Sequence, residues 1–190
     1  MSGLQPLVLG IDPGLRVCGW GIVRGAQRPE YVAGGVIRPK AGDSIGRRLL
    51  QLNQEIAGVI QTYGPDEVAI EEQFVGALNP TSALAIGQAR AAAVIAAAAH
   101  GLDVGFYAPA AVKAAVSGYG QGDKQQVQAM VKLLLGLDAV PEPADAADAL
   151  AVALCHLGMR RAKALTAASA TNGPTGKRWK APGTVSNRQP

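Results

Sequence analysis

The sequence predicts an α/β protein in which a five-stranded mixed sheet carries helices on both faces. First, three short apolar runs lie within residues 1–37, and the connections between them are too short for a helix, which predicts an antiparallel meander. Second, later segments with apolar residues every three or four positions alternate with short apolar runs, as helices alternate with parallel strands. Third, 190 residues that are 48% hydrophobic and 17% charged suffice for a sizeable core and exclude disordered, collagen-like and coiled-coil proteins.

The three strands of the meander are predicted at residues 7–12, 17–23 and 31–37. The first run ends in Asp12, and the breaker pair Pro13-Gly14 then turns the chain. Glycines interrupt the second and third runs, at positions 19, 21, 34 and 35.

The first helix is predicted over residues 45–63, where the apolar residues share one helical face. Asp43-Ser44 offers an N-cap, and Gly64-Pro65 ends the helix. Residues 68–72 then predict a strand that is apolar on both faces until it reaches Glu71 and Glu72.

An alanine-rich helix is predicted to begin at Asn79-Pro80 and to reach His100, because proline is favoured in the first turn of a helix. A short strand at 104–107 follows it. Helices at 111–116, 124–135 and 144–163 complete the order of elements.

The basic residues are unevenly distributed along the chain. Seven of the 18 Lys and Arg residues, and none of the 14 acidic residues, lie from Arg160 onward, so that residues 1–159 carry a net charge of −3. The net charge of this part therefore does not predict a polyanionic partner. Beyond Ala164 the apolar period is lost, which predicts one domain at 1–163 and a flexible basic tail at 164–190. The tail is either a basic arm that adds non-specific affinity for a polyanion, a purification linker or a simple solvated extension.

No membrane span is predicted, since the most apolar stretch, residues 83–99, is mostly alanine and is interrupted by Gln88 and Arg90. The N-terminus lacks the pattern of a secretory signal. Two cysteines, Cys18 and Cys155, are too few for a disulfide framework, and we expect both to be buried in a protein of the reducing cytoplasm.

Five acidic residues stand where apolar sequence is expected. Asp12 ends the first strand, Glu71 and Glu72 end the fourth, and Asp145 and Asp148 share one face at the start of the last helix. Burial of such a cluster is costly unless a cation compensates the charge. Oxygen ligands without a paired His/Cys set favour Mg²⁺ or Mn²⁺ over Zn²⁺.

Each of these acids also has a simpler interpretation, because aspartate commonly forms turns at strand ends and favours the first turn of a helix. The segment Gly10-Ile-Asp-Pro-Gly14 has a further one, since a similar turn opens actin-like ATPases and sugar kinases, where it holds phosphates. An actin-like protein needs a second glycine-rich phosphate loop and an adenosine pocket, and the 190 residues show neither.

Several spaced motifs together resemble the RuvC family of bacterial Holliday-junction resolvases. The resemblance runs from about residue 7 to residue 157 in the order of the family. The motifs are Gly10-Ile-Asp-Pro-Gly14, Gly19-Trp-Gly21, Ala69-Ile-Glu71-x-x-Phe74, Gly87-Gln-Ala-Arg90, Val112-Lys113, Lys124-x-x-Val127 and Ala144-Asp-Ala-Ala-Asp-Ala-Leu-Ala151.

The resemblance implies an RNase H-like fold, a cytoplasmic homodimer and a Mg²⁺-dependent endonuclease with two ions per site, in which Mn²⁺ substitutes. Its substrate would be the four-way DNA junction of recombination and repair, nicked symmetrically to leave 5′-phosphate and 3′-hydroxyl ends. The family spacing selects Glu71 over Glu72. The catalytic and metal-binding residues it implies are Asp12, Glu71, Asp145 and Asp148.

The resemblance also implies DNA-binding roles for Phe74, Lys113 and Lys124, and a partnership with the RuvA and RuvB branch-migration proteins. Without it, a phenylalanine beside a strand is more often part of the core, and each lysine is a solvated surface residue. The alanine-rich helix is either a core helix or part of a dimer interface. Glu72, His100 and His156 are interpreted as structural. A shorter RNA-processing relative with a similar Gly-Ile-Asp-x-Gly start is the nearest alternative function.

Overall fold

A five-stranded sheet organises the chain, which a computed structural model describes at residues 5–25, 27–72, 79–118 and 123–171. The strands are β1 (Leu7–Asp12), β2 (Cys18–Arg24), β3 (Glu30–Ile37), β4 (Glu67–Glu71) and β5 (Val104–Tyr107), in the spatial order β3-β2-β1-β4-β5. β1, β2 and β3 pair antiparallel, whereas β4 is parallel to both β1 and β5. The predicted meander and mixed sheet are therefore confirmed.

Helices cover both faces of this sheet, as predicted. They are α1 (Ile45–Tyr63), α2 (Pro80–Ala99), α3 (Pro109–Ser117), α4 (Lys124–Leu135) and α5 (Ala144–Thr171). Side chains alternate along β1, so Leu9 and Ile11 pack with α1 and α2, while Val8 packs with α3, α4 and α5. The sheet thus separates two apolar cores, and both cysteines are buried free thiols, Cys18 in one core and Cys155 in the other.

The two helices on the first face begin and end close to the predicted positions. Ser44 occupies the N-cap of α1, but its side chain makes no capping hydrogen bond, and Gly64 ends the helix in the left-handed region at φ 59°. In α2 the Asn79 side chain is the N-cap and accepts a hydrogen bond of 2.8 Å from the Ser82 N–H. Capping at Asn79 fixes where α2 starts relative to the end of β4.

By length and composition alone, α2 is apolar enough to cross a membrane. The prediction that no segment meets this criterion was wrong, because alanine itself is apolar enough to outweigh Gln88 and Arg90. The buried face of α2 consists of five alanines (Ala89, Ala92, Ala93, Ala96 and Ala97) in the core that it shares with α1. This helix packs as a core helix on that side.

The last helix is longer than predicted. It continues to Thr171, past the predicted end at Lys163, so the first part of the predicted tail is helical. Alanine is the strongest helix former, and the segment 164–171 contains four alanines and neither glycine nor proline. Residues 164–167 of the helix are exposed, so the loss of apolar period there marks exposure of the helix and not its end. Residues 172–190 lie outside the described residues, and the domain boundary stays a prediction.

Candidate active site

Two carboxylates stand at the carboxyl ends of neighbouring parallel strands. Asp12 is the last residue of β1 and Glu71 the last of β4, and the two strands pair directly. Because side chains alternate, Asp12 shares a face with Val8, and Glu71 shares one with Ala69. Val8 and Ala69 belong to the core beneath α5. Both carboxylates therefore lie on the α5 side of the sheet.

Glycines let the start of α5 come close to β1, which carries Asp12, and to the neighbouring β2. A Cβ added at Gly10 would lie 2.1 Å from the carbonyl oxygen of Ala149, and one at Gly19 would lie 1.9 Å from that of Asp145. Any side chain at these positions would push the helix backbone outward. Gly10 of β1, and Gly19 of β2, which the sequence showed as a strand interruption, thus place the first two turns of α5, with Asp145 and Asp148, against these strands.

A cavity of about 260 Å³ brings together three of the four predicted carboxylates, Asp12, Glu71 and Asp148. Lys113 of α3 and Lys124 of α4 line the same cavity, so both predicted lysines lie beside the acids. Asp145 does not line it. It lines a second groove together with residues of the β1–β2 turn, although its charge still acts on Asp12.

The electrostatics of the cavity centre on Asp12. Burial raises the pKa of this carboxyl from 3.8 to about 8, and the negative charges of Glu71, Asp148 and Asp145 add to the effect, as does a hydrogen bond between the Asp12 and Glu71 side chains. The cluster therefore retains a proton on Asp12 near neutral pH unless a cation replaces it.

This raised pKa has a measurable consequence for folding. The native carboxyl binds a proton up to about pH 8, whereas in the unfolded chain it titrates near pH 4. Between these values the native state holds more protons, so the free energy of unfolding should fall as the pH rises. We expect urea unfolding in EDTA to show this fall between pH 5 and pH 8, and Asp12→Asn to flatten it. An unchanged slope in that variant would contradict the assignment.

Lys124 supplies part of the missing positive charge. Its Nζ lies 2.7 Å from Oδ2 of Asp148, and the hydrogen bond to that carboxylate raises the pKa of the lysine. Among the described residues, no three His, Cys, Asp or Glu side chains form a ready-made metal site. In the structure Lys124 pairs with Asp148, and the side chains of Asp12 and Glu71 share a hydrogen bond. The acidic side chains of the cavity nevertheless offer only carboxylate oxygens, which is the donor set that a hard divalent cation prefers.

Glu72 lies apart from this cluster. Its Oε1 is 3.5 Å from Nη1 of Arg90 on α2, and its backbone N–H donates to the carbonyl oxygen of Tyr107 at 2.7 Å. Adjacent residues of an extended chain point to opposite faces, so Glu71 faces the α5 side while Glu72 pairs across to α2. Glu72 is therefore held by a structural ion pair.

The two histidines also lie outside the cavity lining. His100 ends α2, where its Nδ1 is 2.8 Å from the carbonyl oxygen of Ala96.

Phe74, the predicted junction aromatic, lies outside the described residues.

His156 belongs to a polar network that the sequence did not predict. Its Nε2 donates to Oε2 of Glu67 at 2.5 Å, Tyr107 Oη donates to its Nδ1 at 2.9 Å, and Arg160 pairs with the same glutamate. Burial and the charge of Lys163 lower the pKa of His156, which favours the neutral imidazole. The sequence carries no signal for this network, because His156 and Glu67 are 89 residues apart.

Comparison with known proteins gives consistent matches along most of the chain. A family model described as crossover junction endodeoxyribonuclease RuvC matches residues 8–156. A protein of that name from Chromohalobacter salexigens is 48% identical over 165 residues, covering 86% of this chain and 87% of the relative. Another from Paramagnetospirillum magneticum is 50% identical over 150 residues, covering 78% of this chain and 89% of the relative.

Solved structures agree with the sequence relatives. Thermus thermophilus RuvC in complex with Holliday junction substrate superposes with a TM-score of 0.77 at 34% identity, over 83% of this chain and 96% of that one. The yeast mitochondrial Holliday junction resolvase Ydc2 has a TM-score of 0.61 at 14% identity, over 84% and 82%, and shares the fold. With the strand-end carboxylates, the sheet order and these matches together, the chain belongs to the RuvC family of crossover junction endodeoxyribonucleases.

Proposed function

We propose that this chain resolves four-way DNA junctions by metal-dependent nicking of two opposed strands, leaving 5′-phosphate and 3′-hydroxyl ends. One observation carries the proposal: Asp12, Glu71 and Asp148 meet in a single cavity that also presents Lys113 and Lys124. Carboxylates that bind cations, beside ammonium groups that bind phosphates, are the two requirements of a phosphodiester hydrolase. Membership of the RuvC family and the junction complex of the Thermus relative support this substrate.

The residues that would hold Mg²⁺, or Mn²⁺ in its place, are Asp12, Glu71 and Asp148, with Asp145, whose charge acts on Asp12 from the second groove. Two divalent cations bound there would lower the pKa of the attacking water and stabilise charge on the leaving 3′-oxygen. The protein's own contribution is positional. Asp12 and Glu71 are fixed by paired strands, and Asp148 is fixed by the close approach of α5.

The two lysines have distinct tasks in this proposal. Lys124 neutralises Asp148 in the free protein, and it would be available to a DNA phosphate if a cation took its place at that carboxylate. Lys113, on the neighbouring helix, lines the same cavity and binds the phosphate directly. Each contact offsets the repulsion between the carboxylates and the DNA backbone.

Paired nicking requires two sites, and we infer a homodimer formed through α2. On this helix the large apolar side chains of Leu84 and Ile95 are 63% and 61% exposed. They lie on one stripe with the exposed Ala91 and Ala98, because successive steps of seven, four and three residues return to the same helical face. A second copy of the same helix would bury this stripe, and small residues between the large ones permit close packing. The resulting two-fold axis matches the symmetry of a four-way junction.

The dimer proposal predicts that Ile95→Glu converts the protein to a monomer, because the introduced charges would meet across the axis. Sedimentation or light scattering would show the change, and paired cleavage should be replaced by single nicks. Val140→Glu is the control: Val140 is exposed at 38% but lies between α4 and α5. Equal mass for wild type and Ile95→Glu would contradict the interface.

Three further expectations extend this proposal. Phe74, which follows Glu71 by three residues, would stack on bases at the junction centre. RuvA and RuvB would act with the enzyme. The protein would work in the cytoplasm, where recombining DNA is found.

The test of the proposed function is cleavage of a synthetic immobile junction. Both strands of each cut are mapped, with and without Mg²⁺, beside linear duplex and structured RNA of equal length. Symmetric nicks in the junction alone would support the proposal. Cleavage of the RNA in preference to the junction would replace it with the RNA-processing alternative.

A further inference from the structure

A second groove is lined by Asp145, whose charge acts on Asp12 in the carboxylate cavity. Its volume is about 560 Å³, and its walls include Leu15 and Arg16 from the β1–β2 turn and Thr81, Ser82 and Ile86 from the first turns of α2. Ligand pockets commonly measure about 300–1,000 Å³, so the groove has room for one nucleotide. We call it the Arg16 groove.

Both walls of the Arg16 groove are fixed by hydrogen bonds. Nη2 of Arg48 on α1 donates to the carbonyl oxygen of Leu15 at 2.6 Å, and Leu15 itself is buried. On the opposite wall the Asn79 side chain accepts from the Ser82 N–H and sets the start of α2. The groove is therefore formed before any ligand arrives, which lowers the entropic cost of binding.

The lining chemistry suits a nucleotide. The exposed Arg16 offers a planar guanidinium that binds phosphate, and Thr81 and Ser82 offer hydroxyls. The half-buried Ala85 and Ile86 present apolar surface against which a sugar or a base face can pack. A phosphate, a sugar and a base each find a matching group within one groove.

The Arg16 groove lies close to the carboxylates that would hold the scissile phosphate. A DNA strand whose scissile phosphate lies over Asp12 and Glu71 must leave the cavity in two directions, because the strand is continuous. Lys113 and Lys124 line the cavity itself. The Arg16 groove contains Gly14, which follows Asp12 by two residues, and Asp145, whose charge acts on Asp12. We propose that the Arg16 groove holds a nucleotide flanking the scissile phosphate, with Arg16 on its backbone phosphate. This inference rests on the proposed nuclease function.

The first experiment compares Arg16→Ala with Arg24→Ala. Arg24 is an exposed arginine at the opposite end of β2, so the two variants lose the same charge. Junction binding is measured in Ca²⁺ over a series of salt concentrations. We expect Arg16→Ala to bind about tenfold more weakly and to lower the slope of log affinity against log salt by about one. Arg24→Ala should match the wild type.

The second experiment asks whether a base occupies the groove. Thr81 is exposed, so Thr81→Trp should fill the groove without disturbing the core, and Thr62→Trp, on the exposed end of α1, is its control. Junctions with one abasic nucleotide at each position beside the cut are nicked by each protein. At one position the abasic change should lower the nicking rate of the wild type severalfold. The same change should not lower the nicking rate of Thr81→Trp below its rate on the intact junction.

These outcomes separate the two proposals. If wild type nicks the junction and Arg16→Ala binds and cuts like Arg24→Ala, the groove inference is overturned and the nuclease function stands. If abasic substitution slows Thr81→Trp as much as wild type at every position, no base occupies the groove and the inference is again overturned. If wild type itself leaves the junction intact, the proposed function fails and the groove inference fails with it.

Discussion

Glu71→Gln is expected to reduce junction nicking by about 10³-fold or more, since a site that stabilises several kcal/mol of developing charge loses tenfold for each ~1.4 kcal/mol removed. Glutamine keeps the shape of the side chain but removes the charge that would bind a cation beside Asp12. Junction binding in Ca²⁺ or EDTA should remain or strengthen, because one source of repulsion against DNA is gone. Single-turnover cleavage and a binding titration measure the two effects separately.

The adjacent residue provides the matched control. Glu72→Gln makes the same chemical change one position along the chain, on a side chain that pairs with Arg90 at 3.5 Å on the α2 side. We expect its nicking rate to stay within about threefold of the wild type, since half-exposed ion pairs contribute little to stability. Nicking that survives in Glu71→Gln and disappears in Glu72→Gln would reverse the assignment of the catalytic glutamate.

Gly19→Ala is expected to destabilise the fold by about 3 kcal/mol or more, since overpacking of a rigid backbone contact cannot be relieved by a rotamer change. The added methyl group would lie 1.9 Å from the carbonyl oxygen of Asp145, so the start of α5 has to move. Movement of about 1 Å at a catalytic group commonly costs about 10²-fold in rate. Nicking should therefore fall even at temperatures where the variant is folded, as thermal unfolding and cleavage assays would show.

Gly58→Ala makes the same change where the structure leaves space. A Cβ at Gly58, inside α1, meets nothing within 4 Å. Alanine should stabilise this helix by about 0.5–1 kcal/mol because it restricts the unfolded chain. The two substitutions should thus move the melting temperature in opposite directions. A melting temperature for Gly19→Ala at or above that of the wild type would contradict the close approach of α5.

The sequence predicts most of this fold because its signals are local. Short connections define the meander, and Gly64 with Pro65 ends α1 where expected. The end of α5 was missed because a solvated helix needs no apolar period. Such a helix depends on residue propensity, which alanines supply up to Thr171.

The candidate site was predictable in its residue types but not in its pairings. Strand-end acids indicated a shared edge of the sheet, and the structure brings Asp12, Glu71 and Asp148 together there. The separation of Asp145 into the neighbouring groove depends on how α5 crosses β2, which no periodicity encodes. The Lys124–Asp148 pair joins two helices through tertiary packing alone, and the catalytic roles of all these residues stay predictions.

The hydrogen-bond network around His156 limits how far Asp148 on α5 can move relative to Glu71 on β4. Glu67 begins the strand that ends in Glu71, and its partners His156 and Arg160 follow Asp148 on the same helix by two and three turns. These contacts therefore anchor α5 to β4 about 12 Å along the helix from Asp148, at a rise of about 1.5 Å per helical residue. Because α5 is anchored at that distance, it cannot slide along β4 without breaking the contacts of Glu67, so loss of His156 or Arg160 should let Asp148 shift relative to Glu71.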